Sequence, residues 1–328
     1  MAERTSVTQI VQLGIETTEG TAVAANRQLP SIMFDMQIEG NVEEIRAAGT
    51  KYPTIHAPGR DWTTAKLSGQ PTYDELVYLM SSLLNYQAPV QQGATTAYLW
   101  SYAPSSTTPD TVKSYTIEQG SSVRAQKFAG GLVNELTLKG DKDKVELSGS
   151  MLGRTFTDSI TLTASPTSVP QIPILSKELD IWLDDTSGGL GTTKFTRILS
   201  WELSLKNRFG PLFAVDSSVT SYAASVELPV TGEFKFMAEA DSQAMGLLTT
   251  VRAGSTKFAR LKATSAQLAG TAFPYNMTWD MACNVKEFPK SFGDNDGVYA
   301  VEITMGIKHD ATWGKALVAS VTNTRTTL

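Results

Sequence analysis

The chain has 328 residues, 41% hydrophobic and 19% charged, which is the balance of a packed globular chain rather than a disordered one. A formal net charge of −5, with no cluster of Lys or Arg, argues against a grip on nucleic acid, because binding needs several cations at neighbouring phosphates. The single cysteine, Cys283, excludes an intrachain disulfide; no run of about 18 apolar residues marks a membrane span, and the first residues lack a secretory apolar core.

In chain order, Phe34, Met36 and Ile38 alternate with Asp35, Gln37 and Glu39. Period two with one apolar face predicts a half-buried antiparallel strand. Residues 41–60 are polar and read as a long loop, a length that signals binding inside a compact domain. Residues 62–67 return as a strand. Thr72 and Glu75 form a capping box, with Thr72 as N-cap and Glu75 at N3. They open a helix whose Leu76, Leu79, Met80 and Leu83 share one stripe. Residues 104–109 read as a surface loop. Gly140 to Asp143 predict a hairpin between strands at 135–139 and 145–149. Residues 163–170 are rich in Ser, Thr and Pro and read as a linker. That divides the chain into domains 1–168 and 169–328.

The second part repeats these signals. Leu199, Trp201, Leu203 and Leu205 alternate with polar neighbours, and a second polar loop spans 207–223. Strands follow at 225–230 and 233–236. Asp241 caps a helix running to Thr249, with Ala244, Leu247 and Leu248 facing inward. Tyr275, Met277, Trp279 and Met281 predict another strand, with Cys283 as a buried, inert thiol on its continuation. Residues 293–297 predict a hairpin before a last strand at 298–307, and residues 322–328 read as a frayed tail. The spacing supports duplication. Phe34 and Trp201 lie 167 positions apart, as do Met80 and Leu247. Residues 16–20 face 184–188 at an offset of 168, and 140–145 face 293–298 at 153. The predicted class is mainly β (α+β), as two tandem β-sandwich domains with one flanking helix each.

No catalytic set emerges. His56, His309 and Cys283 do not supply a metal-ligand spacing. Residues 294–297 lack the bidentate Glu of a calcium loop. Gly188 to Lys194 matches neither phosphate-loop pattern. There is no nucleophile elbow, and no carboxylate pair stands apart from the others. Trp62, Trp201 and Trp279 read as core residues rather than a stacking platform. The chain is expected to be no enzyme and to need no cofactor.

Gln12-Leu-Gly-Ile-Glu-Thr-Thr-Glu-Gly-Thr21, followed by small residues, resembles the N-terminal segment of long-tailed bacteriophage tail tube proteins (major tail proteins), which often begin Gln-x-Gly-x-Glu-x-x-x-Gly-Thr. The resemblance continues through residues 29–39, the long loop, Leu67-Ser-Gly-Gln-Pro-Thr-Tyr-Asp-Glu-Leu76 and the strand at 298–308. It implies tail-tube-type β-sandwich domains whose inner sheets join into a ring, with stacked rings forming a conduit for DNA ejection. Two fused domains imply three-fold, pseudo-six-fold rings, with hexameric rings as the alternative. The resemblance also implies tape measure and tail terminator or tip proteins as partners, and a place in the virion after synthesis in the host cytoplasm. DNA would pass without specific binding, and no membrane is involved.

Within that reading, Asp35, Gln37, Glu39, Glu202 and Asp280 are candidates to face the lumen, with Glu302 and Glu135 as rivals. Glu44, Arg46, Lys51, Tyr52, His56, Arg60, Arg208 and Asp216 are candidate inter-ring loop residues. A carbohydrate-binding β-sandwich or other virion surface module is the alternative, and it requires exposed aromatics at one loop end.

Overall fold

The computed structural model describes residues 7–216, 220–287, 293–295 and 297–328. The protein is mainly β. Its strands are β1 (Ile10–Ile15), β2 (Arg27–Leu29), β3 (Ile32–Ile45), β4 (Ile55–Gly69), β5 (Val90–Gln91), β6 (Tyr98–Tyr102), β7 (Tyr115–Gly120), β8 (Ala125–Asp141), β9 (Val145–Gly153), β10 (Phe156–Ile160) and β11 (Thr167–Ser168). They continue as β12 (Leu179–Asp184), β13 (Lys194–Phe195), β14 (Ile198–Lys206), β15 (Phe209–Leu212), β16 (Ala224–Glu227), β17 (Thr231–Glu239), β18 (Lys257–Gly270), β19 (Phe273–Val285), β20 (Gly293–Asn295), β21 (Val298–Ile307) and β22 (Leu317–Asn323). Two helices accompany them, α1 (Leu76–Leu83) and α2 (Ser242–Ala253).

Two sets of strands share one connectivity. In the first, β3 pairs β4, β4 pairs β9 and β9 pairs β8. A second layer pairs β2 with β1, β1 with β7, β7 with β8, and β8 with β10. In the second set, β14 pairs β17, β17 pairs β21 and β21 pairs β19. Its other layer pairs β13 with β12, β12 with β18, β18 with β19, and β19 with β22. Every one of these pairings is antiparallel. β8 serves both layers of its set because it bends: Gly130 has φ +66, a conformation that a side chain would strain. A bulge follows between Val133 and Glu135.

The two sets are stitched together. β8 pairs β14 from Leu136↔Leu205 to Asp141↔Ser200, so one sheet runs β3-β4-β9-β8-β14-β17-β21. β6, from the first part of the chain, adds to β22 of the second. Buried apolar side chains form one continuous core across both sets.

α1 differs from its predicted stripe, for all eight residues are buried. β8 covers one side, where the Val133 amide donates to Ser82 Oγ. β6 covers another, where the Tyr102 hydroxyl reaches the Val77 carbonyl at 3.1 Å and Ser81 Oγ at 3.0 Å. A helix clamped on both sides can carry serines inward only because each finds a partner. The Glu75 amide donates to Thr72 Oγ1, as in a capping box, but the helix begins only at Leu76, so that Glu75 rather than Thr72 holds the N-cap place, and the Glu75 carboxylate accepts from Ser31 N rather than Thr72 N. Ala244 N donates to Asp241 Oδ1, and α2 runs to Ala253, one turn past the predicted end. Ala244 and Leu247 are buried; the Leu248 side chain lies outside the described residues.

Four further expectations change. Residues 41–60 are a loop only at 46–54: on either side of it β3 and β4 continue as a hairpin through Ile45↔Ile55. Residues 207–223 enter a hairpin too, with β15 and β16 paired from Phe209↔Glu227 to Leu212↔Ala224; positions 217–219 lie outside the described residues. The 163–170 stretch is fastened rather than slack, since Thr163 bonds Glu118 through both N and Oγ1 and β11 pairs β2. The C-terminal tail is equally held. Asn323 accepts from Trp100 Nε1 and donates to the Tyr73 carbonyl, and Arg27 donates to the Leu328 carbonyl. The 293–297 hairpin is present as β20 against β21, although Asp296 lies outside the described residues.

Candidate functional site

The feature with most chemistry on it is the outward face of the long sheet. Alternation puts Phe34, Leu203, Phe234 and Ile303 into the core and their neighbours outside. Strand order then sets rows of charge side by side. Asp35 lies opposite Lys66, and Lys66 opposite Ser150, which in turn lies opposite Glu135. Lys206 Nζ meets Glu135 at 3.1 Å. In the next row Glu146 lies opposite Lys139, Lys139 opposite Glu202, and Glu202 opposite Lys235. Lys139 Nζ is 2.9 Å from Glu146, and Lys144 also bonds Glu146. Glu233 takes Lys286 at 2.7 Å and Lys235 at 3.9 Å.

The result is a mosaic in which each cation has a carboxylate beside it. The hydrogen bond from Lys286 holds the Glu233 carboxyl below the usual range, and the bond to Glu135 raises Lys206. Each pair is partly exposed and contributes little stability on its own; what the pattern does is keep the face near neutral. The sequence shows the acids of this face and hides its lysines. Lys66, Lys139, Lys206, Lys235 and Lys286 are far apart in the chain, and only sheet order brings them together.

Asp35, Gln37 and Glu39 lie on β3 and Glu202 on β14, so they share this face. Asp280 does not. It sits on β19 where that strand pairs β18 and β22, in the opposite layer, and both of its oxygens are bonded by Arg260 at 2.6 and 2.8 Å. Its polar phase points away from the long sheet because the core lies between the layers. Glu135 and Glu302 do belong to the long sheet.

The loop candidates also separate. Glu44, Arg46, Lys51, Tyr52 and His56 are exposed along the β3–β4 arm, with His56 Nδ1 3.3 Å from Glu44. Arg60 and Asp216 bond each other within the chain, Arg60 Nη2 donating to the Asp216 carbonyl at 2.8 Å. Arg208 is no surface residue. Its guanidinium is buried, paired with Asp110 at 2.5 Å and Glu227 at 3.0 Å, and Nε donates to the Leu83 carbonyl. A cation out of water needs such partners, so Arg208 locks the β15–β16 hairpin onto the first set.

The Gln-x-Gly-x-Glu pattern has a structural role. The buried Glu16 carboxylate accepts from the Gly20 amide, Thr116 Oγ1 and the Gly130 amide, tying a loop and β7 to the bend of β8. Asp184, at the matching place, accepts from the Gly191, Thr192 and Thr193 amides. Trp201 and Trp279 are buried, and Trp62 packs against Phe213 at 5.2 Å. Cys283 is buried, which pushes its thiol up to about 12. No helix is long and apolar enough to cross a membrane, and no cluster of metal-ligating side chains occurs, both among the described residues. The chain matches no family model and no curated protein.

Proposed function

We propose that the chain is the subunit of a long-tailed phage tail tube, built from two copies of one tube domain and closing into three-fold rings that stack around a lumen. The observation that carries this reading is the β8–β14 seam. Two strand sets of like connectivity are joined edge to edge by backbone pairing, with the sheet running on unbroken. The same seam can repeat between chains. β3 is the counterpart of β14, and its outer edge meets no strand among the described residues. β20 is the counterpart of the end of β8, and its outer edge meets none either. Exposed edges of this kind are a liability unless they are covered.

Joining them makes every seam alike. The long sheet carries four strands from each set, with β19 and β20 sharing the last place. Three chains of eight strands give a closed barrel of 24, pseudo-six-fold in symmetry, and closure removes the edges. The charge mosaic then lines the lumen. Cations held by carboxylates leave few free to take phosphates, so DNA slides through without a grip. The three tryptophans form no common platform of the kind a sugar-binding module would use, since Trp201 and Trp279 are buried and Trp62 is packed against Phe213.

Negative-stain microscopy of the purified protein tests the proposal. Rings or stacked tubes with three-fold symmetry are the expected outcome. Particles that remain single subunits at high concentration would overturn it.

A further inference from the structure

The two hairpins that leave the long sheet are built alike and lie differently. The β15–β16 hairpin pairs Phe209↔Glu227 through Leu212↔Ala224. The β3–β4 arm pairs Val42↔Pro58 through Ile45↔Ile55, and the ladder breaks below each hairpin, between Gly40 and Val42 in one and between Lys206 and Phe209 in the other. Position by position, Val42 answers to Phe209 and Ile45 to Leu212. The second hairpin turns away from its strand at Asn207, which has φ 60, and folds across the rim of the neighbouring strand set. There Phe213 packs on Trp62, Tyr222 lies 1% exposed with the Arg154 guanidinium over its ring at 5.3 Å, and Phe209 N donates to Asn134. The arm instead stands straight, leaving Val42 60%, Ile45 45%, Ile55 54% and Tyr52 79% exposed.

The position matching Asn207 is Gly40. Nothing in the straight arm requires a glycine there: a Cβ would find its nearest neighbour, the Arg60 carbonyl, at 3.6 Å, an ordinary contact. Glycine is favoured if the chain turns left-handed at that point, as it does at Asn207, where asparagine is the residue that next best tolerates the turn. The rim matching the one that Tyr222 fills is open. It is a groove of about 530 Å³ bordered by Leu228, Pro229, Val230, Ile307, Lys308 and Leu317. Lys308 stands there where Arg154 stands in the first set.

We infer that in the assembled ring the arm bends at Gly40 and lies in this groove of a neighbouring copy, with Tyr52 as its anchor beneath Lys308. The inference rests on the ring reading above and adds to it a hinge, a seat and an anchor. Two like copies of a seam need two like straps, and the chain supplies one to itself and one to its neighbour. Bending also removes the arm's apolar side chains from water, as burial favours.

Tyr52→Cys combined with Val230→Cys provides the test, because the only native thiol is buried. Oxidation of assembled particles should link chains into a ladder that stops at three. A ladder continuing past three places the arm on the next ring and overturns the lateral seat. Particles that assemble without any link overturn the inference but leave the tube reading standing, whereas failure of the parent protein to assemble overturns both. The hinge has its own pair of variants. Gly40→Val should leave the subunit folded and raise the concentration needed for assembly about tenfold or more, while Gly40→Asn, which tolerates the left-handed turn, should stay near the parent. Equal assembly by Gly40→Val and the parent would remove the hinge.

Discussion

Asp74 is a buried carboxylate, and neither of its oxygens has a hydrogen-bond partner among the described residues. Burial pushes its pKa up to about 7, with Arg325 opposing and Glu75 adding to the shift. The folded protein therefore holds this proton more tightly than the unfolded chain does. That contribution is complete below the unfolded value near 4 and is lost as pH rises to about 7. Asp74→Asn keeps the shape and removes the charge. It should match the parent in stability at pH 4 and exceed it above pH 7 by up to about 4 kcal/mol. Urea melts at both pH values decide the matter, and equal midpoints at high pH would show that Asp74 stays charged at no cost. The sequence marks Asp74 only as a residue inside a capping box. Its burial comes from the docked C-terminal segment, where Asn323 bonds the Tyr73 carbonyl and Arg325 stacks on Tyr78. Local pattern has no access to a contact spanning 250 positions.

Elements were legible where one face is buried and the other is wet. The alternation at Leu199 to Leu205 and Tyr275 to Met281 gave strands because half their side chains enter the core. The arm at 41–60 was illegible for the opposite reason: water lies on both of its faces, so no period marks it as paired strands. The helix α1 and its buried stripe are legible in the sequence, but its burial on every side is not, because its polar positions are filled by Ser81 and Ser82, whose partners lie on β6 and β8. The edge of β3 allows a prediction at this scale. The Phe34 amide points away from β4, for it donates to Gln119 Oε1, and by period two the Ile38 amide points the same way. Ile38 is 57% exposed, so Ile38→Pro removes one outward donor without opening the core or the β3–β4 ladder. The variant should fold like the parent yet sediment as a single subunit. If it assembles normally, β3 is no seam.

At the scale of the whole molecule, the charge of the long sheet is a property that no segment possesses. The polar phase of Asp35, Gln37 and Glu39 is visible in the sequence, and Asp280 looks like one more such position, but the layer to which a strand belongs is fixed by its partners. Lysines scattered between positions 66 and 286 became a lattice only through strand order. If the face lines a lumen, its balance can be tipped with little harm to the fold, because exposed substitutions usually change stability by about 0.5 kcal/mol or less. Glu202 lies between Lys139 and Lys235 in its row. Glu202→Lys there, combined with Glu39→Lys, leaves cations without carboxylates and repeats them around every ring. Each phosphate they neutralise strengthens binding in a salt-dependent way. Tubes of the double variant should therefore retain duplex DNA at low salt and release it as salt rises, and particles carrying it should eject slowly unless salt is raised. A charge reversal on the outside of a tube would leave ejection at the parent rate at every salt concentration, and that result would place this face away from the DNA.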